Sequence, residues 1–243
     1  MTQIGQLATA DGPVLAATGL AKSYGPTIVL HHASLEVARG ESVAVMGPSG
    51  SGKSTLLYCL SGVVAPDSGE VHFGEVRVDT LSDARRAQLR CSDFGFVFRF
   101  PGLLPELPAV ENVALPLMLG GASRRDAVTR AQQLFPTLGL SGLELRRPGE
   151  LSGGQAQRVG IARALIHEPA VVFADEPTGA LDTQTGDEMV SLLVSTARDR
   201  GAALVLVTHD ERVAGRCDRI VRVVDGRTLP DTVASPGIAP RSS

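Results

Sequence analysis

The sequence predicts an α/β fold in which a parallel β-sheet carries helices on its faces. A glycine-rich loop at residues 47–55 lies between an apolar run and a helical segment. Apolar runs alternate with helical segments over residues 152–208, which favours a parallel sheet. An Asp-Glu pair follows the apolar run at 170–174, and such folds bind ligands at the carboxyl ends of their strands. With 43% hydrophobic residues among 243, the chain can bury a substantial core.

Hydrophobic patterning predicts the elements in chain order. Short strands are expected first, at residues 14–20, 28–30, 34–37 and 42–46, and a helix at 56–60 continues the glycine-rich loop. Ser123 and Asp126 form a capping pair that predicts the start of another helix. The buried face of that helix is expected to hold Val128, Ala131, Leu134, Phe135 and Leu138. The hydrophobic pattern in the second half of the chain predicts a helix at 152–167, a strand at 170–174, a helix at 185–200 and a strand at 202–208.

Bulk properties narrow the classes of function. The net charge of −3 does not favour nucleic acid as a partner. Three cysteines without metal-ligand spacing are typical of a reducing cytoplasm. The amino-terminal residues lack the pattern of a signal peptide, and no apolar run approaches the ~20 residues that span a bilayer. We therefore expect a cytoplasmic chain that reaches a membrane only through a partner.

The glycine-rich loop predicts a nucleoside triphosphate site. Its glycines allow backbone N–H groups to point at phosphate oxygens, and the following helix directs its positive end at the same anion. Lys53 is expected to reach the β- and γ-phosphates, and the Ser54 hydroxyl to ligate Mg²⁺. Lys53 is one of only two lysines among 23 basic residues. The expected nucleotide-binding residues are Gly47, Pro48, Ser49, Gly50, Ser51, Gly52, Lys53, Ser54 and Thr55.

Two strand ends supply candidate catalytic groups. Asp175 is expected to bind the metal, directly or through the groups around it. Glu176 is the candidate general base that orients and deprotonates the attacking water. A solvated acidic turn is the alternative for this pair. His209 follows the strand at 202–208 and is a candidate γ-phosphate sensor, although a lone histidine is often structural.

A second phosphate-binding motif lies far along the chain, where residues 151–155 read Leu-Ser-Gly-Gly-Gln. The Ser152 hydroxyl and the glycine N–H groups at a helix start can donate to phosphate oxygens. Both motifs require the same γ-phosphate. Two copies arranged head to tail would satisfy both, and the second motif would then contribute Ser152, Gly153, Gly154 and Gln155.

These motifs, together with Gly179-Ala180-Leu181-Asp182, resemble the nucleotide-binding subunit of ABC transporters over residues 14–227. The resemblance implies a P-loop NTPase fold with a RecA-like core, an N-terminal antiparallel β subdomain and an α-helical subdomain. One domain would span 14–228, with the helical subdomain at about 99–162, the core and β subdomain at about 14–98 and 163–228, and flexible tails at 1–13 and 229–243.

The same resemblance implies the ligands and partners. ATP and Mg²⁺ would bind, with Asp182 at the nucleotide and Tyr24 stacked on adenine, unless Tyr24 is an ordinary turn residue. The chain would hydrolyse ATP as a homodimer and drive an integral membrane permease. It would lie on the inner face of the membrane, and nucleic acid is not expected as a partner.

Shorter motifs resemble one group within the family, the macrolide-exporter, lipoprotein-release and cell-division ATPases. They lie at 96–98, 103–105, 111–113 and 176–179. The group implies a separate permease with a large extracytoplasmic domain that acts on lipoproteins, peptides, drugs or cell-wall enzymes. Leu103, Leu104 and Leu107 form the candidate permease contact, because they are expected to be exposed.

Arg99 departs from the family pattern, which has glutamine after Phe-Val-Phe. Guanidinium has no acceptor and cannot ligate a cation. Three alternatives are open for Arg99. It would contact the γ-phosphate, or it would pair with Glu176 and so weaken Glu176 as a base. In the third, it would turn outward to the permease. Slow hydrolysis would leave a low-turnover regulatory scaffold as an alternative function. A non-transport ABC ATPase acting on DNA or ribosomes is less favoured, because such chains usually carry coiled coils, zinc inserts or a second cassette.

Overall fold

The computed structural model describes residues 12–229 and the backbone of residues 232–233. The tails predicted at 1–13 and 229–243 therefore lie almost entirely outside the described residues. Within the second of them, Thr232–Val233 forms a short strand, β11, that pairs antiparallel with Arg219–Val224. The segment predicted as a flexible tail therefore includes two residues that pair as a strand.

An antiparallel sheet opens the chain. Its strands are β1 (Leu15–Tyr24), β2 (Thr27–Val37), β4 (Ser68–Phe73) and β5 (Val76–Arg77), in the order β2-β1-β4-β5. The two runs predicted at 28–30 and 34–37 belong to one strand, β2. The pairing of β1 with β2 shifts register three times, which explains why a strict two-residue alternation does not follow these strands.

A second, mixed sheet carries the functional edge. Its strands are β3 (Ser42–Met46), β6 (Phe94–Phe98), β7 (Val171–Asp175), β8 (Ala203–Val207), β9 (Arg219–Val224) and β10 (Arg227–Thr228). The order is β10-β9-β3-β8-β7-β6, and all pairs from β9 to β6 are parallel. Parallel strands end at one edge of a sheet. The glycine-rich loop, Glu176 and His209 therefore follow neighbouring strands at that edge.

Seven helices of the described residues pack with the sheets, and one of them begins at a predicted cap. They are α1 (Lys53–Leu60), α2 (Asp83–Ser92), α3 (Ala109–Leu119), α4 (Arg124–Leu134), α5 (Gly153–Leu165), α6 (Thr183–Asp199) and α7 (Glu211–Ala214), all within the described residues. The Ser123 hydroxyl caps α4 by accepting from the Asp126 N–H at 3.1 Å, as predicted. Leu138 lies in a separate 3₁₀ turn, because Pro136 follows the end of α4.

Two apolar clusters fill the two faces of the mixed sheet. Along β7, Val172 and Ala174 pack toward the helices α3 to α6, whereas Val171 and Phe173 pack toward α1 and the antiparallel sheet. A strand buried on both faces reads as a continuous apolar run, and this is why its position was predictable. The subdomain boundary predicted between residues 162 and 163 falls inside α5, which continues to Leu165.

Candidate functional site

The glycine-rich loop wraps around the ammonium group of Lys53. Lys53 is 7% exposed, and its ammonium group donates to the carbonyls of Gly47 and Pro48 at 2.9 and 2.7 Å. A Cβ atom at Gly47 would lie 2.1 Å from the carbonyl oxygen of Val223, and one at Gly52 would lie 2.8 Å from that of Val29. Both positions therefore require glycine. The loop thus holds a buried cation that is matched to a phosphate.

Asp175 accepts hydrogen bonds at both carboxylate oxygens. The Ser54 hydroxyl donates to Oδ1 at 3.0 Å, and the Tyr58 hydroxyl donates to Oδ2 at 2.9 Å. Burial, with the hydrogen bond to Asp175, raises the pKa of Tyr58 to about 12, so its proton stays in place as a donor. A hydroxyl and a carboxylate beside a phosphate loop are oxygen donors of the kind that Mg²⁺ prefers. These residues fit the expected metal.

Tyr58 is a site residue that motif reading missed. It lies four residues after Ser54 on α1, and residues at this spacing share one face of a helix. The spacing from Ser54 was the signal in the sequence that could have indicated Tyr58. It does not indicate the contact with Asp175, because that contact depends on β7 packing beside α1.

Glu176 lies between two basic groups. Its Oε1 atom is 3.0 Å from His209 Nδ1, and its Oε2 atom is 3.6 Å from Arg99 Nη1. Its φ of 46° lies in the left-handed region, where a non-glycine residue carries roughly 1–3 kcal/mol of strain. The Glu176 N–H nevertheless donates to the Val207 carbonyl at 3.0 Å, which ties the strained residue to β8.

Arg99 turns inward, toward the nucleotide site. Its Nη2 donates to the Gly179 carbonyl at 2.8 Å, and a Cβ atom at Gly179 would lie 2.9 Å from its Nε. The alternative in which Arg99 points outward is not the conformation of this structure. Arg99 instead connects the end of β6 with the loop that contains Gly179 and with Glu176.

A cavity of about 620 Å³ lies over the glycine-rich loop. It brings together six of the nine residues predicted in the glycine-rich loop, with Tyr24 half exposed at its wall. Its lining consists of Tyr24, Val29, Ser49, Gly50, Gly52, Lys53, Ser54, Thr55, Arg99, Glu176 and His209. Arg99, Glu176 and His209 also line a neighbouring polar cavity of about 240 Å³.

Asp182 lies in that neighbouring cavity rather than over the loop. Its carboxylate caps α6 by accepting from the Thr185 N–H at 3.0 Å. Hydrogen bonds from the Thr185 side chain and backbone hold the pKa of Asp182 below its usual range. The nucleotide contact of Asp182 stays a prediction.

The motif at 151–155 lies at the start of α5 and lines neither cavity. Ser152 and Gln155 form a capping box, in which Oγ of Ser152 accepts from the Gln155 N–H and Oε1 of Gln155 accepts from the Ser152 N–H. The Ser152 oxygen is an acceptor in this cap, so its hydroxyl proton remains available for a phosphate. Ser152 and Gly153 are exposed.

The buried Gln157 of the same helix was not singled out from the sequence. Its Nε2 donates to the Phe98 carbonyl at 2.8 Å, one residue before Arg99. The helix that begins at Ser152 is therefore connected directly to the segment that carries Arg99.

An apolar groove of about 450 Å³ lies on the outer side of β6. Phe98 and Leu119 are exposed in its lining. Of the leucines expected at the surface, only Leu104 is exposed; Leu103 packs against the core and Leu107 is partly buried. The expectation of a fully exposed leucine set is therefore wrong.

Among the helices of the described residues, none has the length and apolar character needed to cross a bilayer.

Comparisons with known proteins identify close relatives. Residues 30–179 match the family model described as ABC transporter. The lipoprotein-releasing system ATP-binding protein LolD of Geobacter metallireducens is 47% identical over 216 residues, which cover 87% of this chain and 96% of the relative. LolD of Bordetella pertussis is 47% identical over 224 residues, covering 90% and 97%.

Solved structures agree with these sequence matches. The dimeric post-hydrolysis state of the ATP-binding cassette MJ0796 bound to ADP and Pi superposes with a TM-score of 0.82 at 36% identity, covering 91% of this chain and 99% of the other. CbiO1 from Clostridium perfringens, part of the transporter complex cbiONQ, gives a TM-score of 0.83 at 28% identity, with coverages of 92% and 90%.

Proposed function

Because the chain belongs to the ATP-binding subunits of ABC transporters, in the macrolide-exporter, lipoprotein-release and cell-division group, we propose that two copies close on ATP and drive a separate membrane permease. The chain is an ATPase of this family. What we propose beyond this activity is the homodimer, the permease partner and the cargo.

The proposal of a homodimer rests on the position of the motif at 151–155. It has the composition of a phosphate-binding helix start, yet it lies outside the nucleotide cavity of its own chain. A second copy that turns its Ser152 toward Lys53 would bring the motif to the γ-phosphate. The dimeric cassettes among the structural relatives support this arrangement.

The residues around the glycine-rich loop have distinct tasks in the proposed site. Lys53 neutralises charge on the β- and γ-phosphates, and the loop N–H groups orient them. Ser54 and Asp175 would hold Mg²⁺, which supplies further charge neutralisation. Glu176 orients and deprotonates the attacking water, and His209, bonded to Glu176, contacts the γ-phosphate.

Arg99 makes this ATPase slower than relatives with glutamine at that position. Its guanidinium lies beside the carboxylate that must accept a proton, and it cannot serve as a metal ligand. This contact favours a second candidate function, a low-turnover regulatory subunit. The rate of ATP hydrolysis with and without the permease separates the two, because a transport subunit is stimulated by its partner.

The groove beside β6 is the proposed docking site for the permease. It exposes Phe98 and Leu119 and lies one residue from Arg99, so an inserted segment would act directly on the site.

The relatives' names indicate lipoprotein release as the work performed. Peptides and drugs remain alternative cargoes. The chain would then sit on the cytoplasmic face of the membrane. Copurification with membranes rather than with nucleic acid would contradict the non-transport alternative.

The homodimer is tested by light scattering of the full chain carrying Glu176→Gln with ATP and Mg²⁺. We expect a dimer with ATP and a monomer without nucleotide. Adding Ser152→Arg should abolish the dimer while each chain still binds ATP, because the bulky cation blocks only the trans contact. A monomer at saturating ATP, or a dimer that survives Ser152→Arg, contradicts the proposal.

A further inference from the structure

Tyr58 completes a chain of contacts that begins at Ser54. The Ser54 and Tyr58 hydroxyls, one helical turn apart on α1, donate to different oxygens of the same carboxylate, at 3.0 and 2.9 Å. The carboxylate of Asp175 is therefore held from both sides by one helix. A side chain with two fixed donors has a single orientation, whereas one with a single donor can rotate about its terminal torsion.

The remainder of the Tyr58 side chain has a separate role. Its ring packs against the apolar cluster that contains Leu57 and Phe173, and its carbonyl accepts from the N–H groups of Val63 and Val64 at 2.9 and 3.0 Å. The ring and backbone therefore anchor Tyr58 without help from the hydroxyl. Loss of the hydroxyl alone would leave this packing in place and release only Asp175.

We propose that Tyr58 is a positioning residue that holds Asp175 in the orientation in which it binds Mg²⁺ together with Ser54. The inference rests on the proposed metal role of Ser54 and Asp175. Partners that orient metal ligands in this way typically change metal affinity by roughly 10-fold to 100-fold when they are removed. Tyr58 should thus affect the nucleotide with its metal and leave the metal-free nucleotide unaffected.

The test compares binding of the non-hydrolysable triphosphate AMP-PNP by calorimetry, in excess Mg²⁺ and in EDTA, using the full chain. In Tyr58→Phe we expect affinity in Mg²⁺ to fall roughly 10-fold or more, with affinity in EDTA and the thermal midpoint unchanged. Ser61→Ala is the matched control. It removes a hydroxyl that donates to the Tyr58 carbonyl at 3.3 Å and should change neither affinity.

Asp175→Asn and the double variant complete the cycle. The Mg²⁺ advantage is the factor by which AMP-PNP binds more tightly in Mg²⁺ than in EDTA. Asp175→Asn should lose this advantage. Adding Tyr58→Phe to Asp175→Asn should then lower the affinity no further, because the two residues act as one unit. Loss of the advantage in Asp175→Asn but not in Tyr58→Phe overturns the role of Tyr58 alone. Equal losses of affinity in Mg²⁺ and in EDTA for Tyr58→Phe also overturn it. An unchanged advantage in Asp175→Asn overturns the metal role and this inference together.

Discussion

Nη1 of Arg99 lies 3.6 Å from Oε2 of Glu176, while Nδ1 of His209 lies 3.0 Å from the other carboxylate oxygen. The expected general base is therefore flanked on both sides. The carboxylate is partly buried, with 25% of the side chain exposed, whereas the Arg99 side chain is 52% exposed. Solvent reaches the arginine and weakens the pair, so its effect on Glu176 should be modest.

Replacing Arg99 with glutamine is expected to speed ATP hydrolysis. An exposed pair of this kind is worth about 0.2–1 kcal/mol, so the gain from freeing Glu176 should be up to about fivefold. Steady-state phosphate release at saturating Mg–ATP measures it. Arg99→Lys keeps the charge and is the control that should stay slow. Equal or lower turnover in Arg99→Gln would rule out this account of the arginine.

Replacing Glu176 with glutamine should reduce hydrolysis by about 10²–10⁴-fold, because an amide cannot accept the proton of the attacking water. ATP binding should persist, since the contacts of the glycine-rich loop are unaffected. Single-turnover hydrolysis and nucleotide binding by filter assay measure the two effects. Glu168→Gln, an exposed position on the α5–β7 connection, is the control. A Glu176→Gln chain that hydrolyses normally would remove Glu176 from the role of base.

Replacing Asn112 with alanine should lower the free energy of unfolding by about 1–3 kcal/mol. The side chain is fully buried; its Oδ1 accepts from the Leu104 N–H at 2.7 Å, and its Nδ2 donates to the carbonyls of Leu104 and Leu107 at 3.1 and 3.0 Å. Alanine would leave these backbone groups without their partner. Urea unfolding followed by circular dichroism measures the change.

Ser195→Ala, which removes an exposed hydroxyl bonded to the Leu192 carbonyl, is the stability control and should stay within about 0.5 kcal/mol of the parent. A similarly small change in Asn112→Ala would show that the loop between β6 and α3 does not depend on this side chain.

Acid should destabilise the chain through His167. Its Nε2 contacts the Phe94 carbonyl at 3.0 Å and must donate to it, since a carbonyl only accepts. Burial lowers the pKa of His167, so the folded state favours the neutral ring. Its contribution is present above the unfolded pKa of about 6.5 and is lost as pH falls from that value through the lower folded pKa.

The variant His167→Gln removes the titrating group but keeps an amide donor. The stability of the parent relative to this variant should therefore decrease between pH 7.5 and pH 5.5, as measured by urea unfolding at both values. Stability differences that stay constant across this range would contradict the assignment.

Much of the edge that holds the site was predictable because its signals are local. The glycines of 47–55, the doubly buried strands β3, β7 and β8, and the cap at Ser123 each depend on a few consecutive residues. Strand β2 was divided in the prediction because its pairing shifts register. The prediction assigned no elements to residues 61–93, where β4, β5 and α2 lie. The short strand β5 and the largely exposed α2 carry weak periodic signals.

The sequence by itself determined the chemistry of the nucleotide site: a lysine and a hydroxyl in a glycine-rich loop, and carboxylates at a strand end. Tertiary structure decided which of these groups meet. The contacts of Arg99 with Gly179 and of Tyr58 with Asp175 join residues 80 and 117 positions apart. No local pattern encodes such contacts, because they arise only when β6, β7 and α1 pack side by side. The position of Ser152 outside its own cavity was decided in the same way.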